Sequence, residues 1–201
     1  RKKRNKPKLT FKILWLIFLL FLGGFIFKVW QSINRSLWDG QNQFNLAFNS
    51  QPVFIASFNP QEKSLKVLLI PQGTFIETLH GYGPCRVESI YRLGELNKKG
   101  GELFQGSLQE YLGIPIDAYA SMSNVKCQMS NVEMKACLLG SIRSLIGGGE
   151  TNLTKWDLIR LWWNFKNLHQ EKINLVDLGQ TSASQEVELS DGTKATKIDN
   201  E

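Results

Sequence analysis

The turn Ile70-Pro71-Gln72-Gly73-Thr74 is where this chain could do chemistry. It closes the run Leu65-Lys66-Val67-Leu68-Leu69-Ile70, which reads as a buried strand because it is short, aliphatic and stopped by a proline that cannot extend a ladder. In an α/β domain ligands collect at such strand ends. Two other patterns could carry chemistry. His80 lies five residues before Cys85, a pairing that could activate a thiol, but Gly81, Gly83 and Pro84 between them read as a plain loop. Cys85, Cys127 and Cys137, with His80 and His169, show no metal-ligand spacing, so no metal is expected on that ground. Cys127 and Cys137 could pair outside the cell, although buried free thiols are the expected state for a chain of this size.

The net charge of +6 is unevenly placed. Seven of the 24 basic residues fall within residues 1–12 and all 18 acidic ones lie beyond residue 30, leaving 16 basic against 18 acidic residues from there on. The basic character therefore belongs to a tail and does not describe a nucleic-acid surface. Ile13–Phe27 carries no charge and is bracketed by Lys12 and Lys28, whose stems can snorkel. The span then covers residues 9–30, about 20 helical residues for a hydrocarbon core of roughly 30 Å, with Trp15 and Trp30 near its ends. It is apolar all round, unlike a core helix, and Val29-Trp30-Gln31-Ser32-Ile33 offers no small-residue cleavage site. An uncleaved signal anchor is expected, with the N-terminus cytoplasmic and the rest outside the cell membrane.

The organisation read from the chain is a basic tail at 1–8, the anchor at 9–30, a juxtamembrane connector at 31–42, one domain at 43–180 and a polar tail at 181–201. Because the chain starts without methionine and stops in mid-pattern, it is also read as a piece of a longer protein. Asn34-Arg35-Ser36 and Asn152-Leu153-Thr154 are formal glycosylation sequons, with no other feature arguing for a eukaryotic secretory route. Strands are expected at 44–48, 53–58 and 65–70, the last two as an antiparallel pair in mid-sheet. Helical spacing follows from Val87 to Gly94 and from Leu103 to Leu112, then a strand around 116–121 and a helix over 134–146. Thr154-Lys155-Trp156-Asp157 fits a capping box. The helix it opens carries Leu158, Leu161, Trp162, Phe165 and Leu168 on a stripe that reads as core rather than partner site. A strand over 172–178 closes the domain, and a hairpin around Asp191-Gly192 is expected in the tail.

In order, Val53–Thr74, Gly81–Gly94 and Glu110–Tyr119, with Tyr111-Leu112-Gly113-Ile114-Pro115-Ile116-Asp117, resemble the LytR-CpsA-Psr family of bacterial cell-envelope proteins. The resemblance implies a single α/β domain, a mixed sheet flanked by helices, behind an N-terminal transmembrane helix. It also implies transfer of a glycopolymer from a polyprenyl-pyrophosphate carrier to peptidoglycan, with arginines on the pyrophosphate, carboxylates on Mg2+ and an apolar tunnel for the tail.

Carried over by position, the charged set is missing. The family's first carboxylate falls on Gln51, its arginine and aspartate after Ile-Pro fall on Gln72 and Gly73, and Thr74 is kept. The basic residue before the next helix is Arg86 and the aromatic that follows is Tyr91, while the later arginine motif has no counterpart beyond an out-of-place Arg143. Each lost charge-assisted phosphate contact is worth about 1.5–3 kcal/mol. The expected function is a degenerate, non-catalytic binder of a polyprenyl-linked glycan or of the wall, with candidate binding residues Gln51, Gln72, Thr74, Arg86 and Tyr91 and no cofactor. Two alternatives stand beside it. One is an active transferase using Mg2+ and a rearranged site of Arg86, Arg92 and Glu88; the other is a structural tether.

Overall fold

A computed structural model describes residues 9–127, 130–181, 184–188 and 194–198. Helix α1 (Leu9–Asn34) is long and apolar enough to cross a bilayer, and from Phe11 to Phe27 its side chains are exposed. The basic tail 1–8 lies outside the described residues.

The domain is built on β1 (Phe44–Gln51), β2 (Val53–Asn59), β3 (Ser64–Ile70), β6 (Ala118–Lys126), β7 (Glu150–Thr151) and β8 (Ile173–Asp177). They form a mixed sheet in the order β7-β6-β1-β2-β3-β8. The pairs β1–β2 and β2–β3 are antiparallel, and β6 and β8 join β1 and β3 in parallel. Strand alternation splits the core into two layers. One face (Leu46, Phe48, Phe54, Phe58, Val67) packs against α4 (Asn131–Ile146) and α5 (Lys155–Lys166). The other (Ala47, Val53, Ile55, Ile70) packs against α2 (Ile90–Glu95) and α3 (Gly100–Leu112). The expected α/β architecture, a mixed sheet flanked by helices, is therefore present.

Three local readings change. The expected glycine-rich loop is part of a hairpin, β4 (Phe75–Thr78) with β5 (Gly83–Arg86), that covers the α2/α3 side of the sheet. His80 sits exposed at its tip with φ 64°, whereas Cys85 pairs with Ile76 further down the ladder. Burial pushes the Cys85 thiol up, the backbone of Arg86 opposes this, and the charge of Glu88 adds to it, so the group stays protonated at neutral pH. Cys127 and Cys137 are not free thiols. They form a disulfide, with Cα atoms 5.6 Å apart, that joins the end of β6 to α4. Closing a loop of sequence separation 10 is worth about 2.5 kcal/mol in unfolded-chain entropy. Reduction is therefore expected to lower stability by that amount, readable as a shift of the urea midpoint with and without reductant.

The connector reaches the core through one residue. Trp38 is buried in the core, its ring 5.6 Å from Phe44 and 5.8 Å from Phe58. On α5, Leu158, Leu161 and Phe165 are core, as the stripe implied, with Trp162 half-buried at the edge. In the tail β9 (Ser184–Glu188) pairs antiparallel with β10 (Lys194–Ile198), and the turn expected at Asp191-Gly192 falls outside the described residues.

Candidate functional site

Where β1 and β3 end, the chain leaves a cleft between the strand tips, α2 and β7. It consists of two spaces that share Ser50, Gln51 and Glu88. The smaller, about 120 Å³, is completed by Val53, Ile70, Gln72 and Val87. The larger, about 330 Å³, is completed by Asn49, Tyr91, Arg92, Glu95, Ser121 and Glu150. Parallel pairing of β1 with β6 sets Asn49 beside Ser121, and the amide Nδ2 donates to the Ser121 hydroxyl at 3.2 Å. The two polar residues sit on the face that elsewhere carries Ala47 and Tyr119.

Three of the five residues expected from sequence are gathered here: Gln51, Gln72 and Tyr91. The glutamines are exposed at the mouth. Tyr91 is buried and its hydroxyl donates to Glu150 Oε2 at 2.7 Å. Burial raises its pKa above the usual tyrosine value, and the hydrogen bond and charge of Glu150 raise it further. Tyr119 is also raised, by burial and then by the charges of Glu150 and Glu95. Both phenols stay protonated, so neither serves as a base near neutral pH.

Thr74 and Arg86 are placed differently. Thr74 is fully buried and its hydroxyl donates to Pro71 O at 2.7 Å, so it closes its own turn. That turn needs Gly73 at φ 78°, a conformation open to glycine at no steric cost. The Gly73 N–H donates to the Glu88 carboxylate at 3.2 Å. Arg86 ends the hairpin strand β5 and caps the 3-10 turn Val87–Ser89 that leads into α2. Its guanidinium stacks 5.6 Å from the Phe75 ring centroid, and it does not line the cleft.

Glu95 and Glu150 were not legible as site residues. Glu150 follows Gly147-Gly148-Gly149 and belongs to a two-residue strand, too short to leave a pattern. With Glu88 they give the cleft three carboxylates against one cation, Arg92. That charge is the reverse of a pyrophosphate clamp, which needs fixed positive groups where phosphate charge lies. Among the described residues no three acidic, histidine or cysteine side chains are grouped to hold a metal ion, and no metal-assisted step is derived. What the cleft does offer is hydroxyl, amide and carboxylate groups beside the ring of Tyr91, a set suited to a ligand rich in hydroxyls.

Among the described residues, the layer between α3 and the sheet is filled by side chains. Phe104 and Leu108 are fully buried in that layer. α3 also approaches so closely that a Cβ built on Gly101 would fall within the Tyr119 ring, and one on Gly106 would strike Leu79.

No family model and no curated protein sequence matches this chain. Solved structures do. B. subtilis TagT is similar at 15% identity and a TM-score of 0.57, over 81% of this chain and 86% of that one. The LytR-CPS2A-psr family protein YwtF (TagT) with bound octaprenyl pyrophosphate lipid matches at 15% identity and 0.56, over 80% and 85%. B. subtilis TagV matches at 13% identity and 0.55, over 79% and 92%. The sheet order, the two helical layers and these superpositions agree: this chain has the LytR-CpsA-Psr fold.

Proposed function

We propose that this protein is anchored in the cell membrane by α1, faces the envelope, and uses its cleft to hold a hydroxyl-rich segment of a lipid-linked glycan without transferring it. The observation that carries this reading is the charge of the cleft. Gln51, Gln72 and Gly73 stand where the resemblance implies charge, and Glu88, Glu95 and Glu150 outnumber Arg92. A pyrophosphate entering there would meet net repulsion, whereas sugar hydroxyls can donate to the carboxylates and accept from the glutamine amides. The fold shared with a protein that binds octaprenyl pyrophosphate lipid supports an envelope glycan as the ligand class. With the α3 layer closed at Gly101 and Gly106, the polyprenyl tail of such a ligand stays in the bilayer.

The test is direct. The full chain in detergent, incubated with a polyprenyl-pyrophosphate-linked glycan and Mg2+, is expected to release no pyrophosphate; measurable turnover overturns the non-catalytic reading. The same glycan carrier is expected to bind, and Gln51→Ala combined with Gln72→Ala to weaken it about tenfold. That corresponds to two neutral hydrogen bonds of roughly 0.5–1 kcal/mol each. Both glutamines are exposed, so the fold should be untouched. Absence of binding by the unaltered chain would leave a structural tether as the account.

A further inference from the structure

Among the described residues, the outward face of α5 is left largely open. Trp163 is 62% exposed and Ile159 48% exposed, and Trp156 lies half-buried beside them. Positions 156, 159 and 163 fall at helical spacing on one stripe, flanked by Lys155, Arg160 and Lys166. The only acidic residue in the helix, Asp157, is buried on the inner side. The cations lie along the aromatic rings. The Arg160 guanidinium is 5.4 Å from the Trp156 centroid, and Lys166 Nζ is 5.0 Å from that of Trp162. Tryptophan interleaved with lysine and arginine, free of carboxylates, is the composition of a face that sits among lipid headgroups.

Position adds a second argument. α1 ends at Asn34, and two residues later Ser36 donates to Asp157 in the first turn of α5. The amides of Leu37 and Trp38 donate to the same carboxylate at 3.2 and 3.3 Å, and Arg160 Nη1 donates to Trp38 O at 2.8 Å. From Trp30, the outer aromatic of the anchor, to Asn34 is about 6 Å of helix rise. A headgroup layer is roughly 5–8 Å thick on each side. The N-terminus of α5 is therefore fixed at the level where the anchor leaves the headgroups, and Leu37, 50% exposed, lies in the joining segment.

We infer that the exposed face of α5 docks on the outer surface of the membrane that holds α1, with Trp156, Ile159 and Trp163 in the interface and Lys155, Arg160 and Lys166 on anionic headgroups. This rests on the reading of α1 as the anchor. Docking converts a domain hung from one helix into one lying against the bilayer by a second element.

The full chain, in a Cys85→Ser background with the disulfide kept, is reconstituted in vesicles of phosphatidylethanolamine with a minority of phosphatidylglycerol. It is spin-labelled singly at Ile159→Cys, at Glu110→Cys on the opposite side of the sheet, or at Phe18→Cys in α1. The label at 159 is expected to lose access to a water-soluble nickel relaxant and gain access to oxygen, while 110 stays open to nickel. Adding Trp163→Glu, at an exposed position, is expected to return 159 to the behaviour of 110. A lipid-like signal at 18 with a water-like signal at 159 overturns the docking and leaves the anchor intact. A water-like signal at 18 overturns the anchor and the docking that rests on it. Dipolar broadening at 159 that grows with protein density in the bilayer assigns the face to a second copy of this chain and overturns the proposal.

Discussion

Replacing Asp157 with alanine is expected to cost about 3–5 kcal/mol of stability, enough to move the thermal midpoint of a domain this size by about 10 °C. The carboxylate is fully buried and accepts from five donors: the Ser36 hydroxyl, the amides of Leu37, Trp38 and Thr154, and the Thr154 hydroxyl. Alanine would leave these donors in a dry site and would remove half of the capping box that starts α5. The loss of a cap alone is worth about 1 kcal/mol. Burial pushes this carboxyl up, but the hydrogen bonds from Ser36, Thr154 and Leu37 outweigh it, and the group titrates below the ordinary aspartate value. A carboxylate lowered in this way contributes stability that is complete above the unfolded aspartate value of 3.8 and disappears as pH falls through the folded one. The gap between the original protein and Asp157→Ala, measured by denaturant unfolding in micelles, is thus expected to be constant near neutrality and to narrow only below that value. A gap that opens with falling pH would contradict the assignment.

The second large effect reverses an ordinary rule. On an exposed helix, glycine to alanine stabilises by about 1 kcal/mol. In α3 the double change Gly101→Ala and Gly106→Ala is expected to destabilise by about 3 kcal/mol, because each new methyl enters occupied space. The two sites differ. Leu79 meets Gly106 with the free end of a side chain and can turn aside. Tyr119 meets Gly101 with its ring, which is flanked by Tyr91 at 6.1 Å and cannot move without displacing it. Most of the cost should therefore come from Gly101→Ala, and Tyr119→Ala in that background should recover stability. If Gly101→Ala raises the unfolding midpoint, the close approach of α3 to the sheet is not as described.

How much of this was legible in the sequence depends on how local each determinant is. β1, β2 and β3 are runs of seven or eight residues with clear apolar content, and the Thr154–Asp157 cap is a contact three residues apart; both could be read directly. The β4–β5 hairpin could not, because its strands have four residues each and are interrupted by Gly83 and Pro84. Trp38 looked like part of a connector because Arg35-Ser36-Leu37 and Asp39-Gly40-Gln41 around it carry no core pattern; Phe44 and Phe58 meet it only after the sheet has formed. In the cleft, Gln51 and Gln72 came from the family resemblance, whose charged positions fall on them at the end of β1 and just past the end of β3. Glu150 comes from a point 59 residues beyond Tyr91, its hydrogen-bond donor, and a two-residue strand announces nothing. Arg86 was legible as the residue before the next helix, and it caps the 3-10 turn Val87–Ser89 that leads into α2; that it also ends the short strand β5 was not legible.

The seam between α1 and α5 has a consequence for how this protein meets its ligand. A flexible tether lets a domain sweep a volume that grows with linker length, with a root-mean-square reach of about 5–6 Å times the square root of the residue number. Here only Arg35 separates the last helical residue from the hydrogen-bonded Ser36. The volume swept by the cleft collapses accordingly. On the proposed reading, in which α1 is the membrane anchor and the ligand is lipid-linked, their encounter becomes a search in two dimensions with one approach angle, set when the chain folds rather than found anew at each collision.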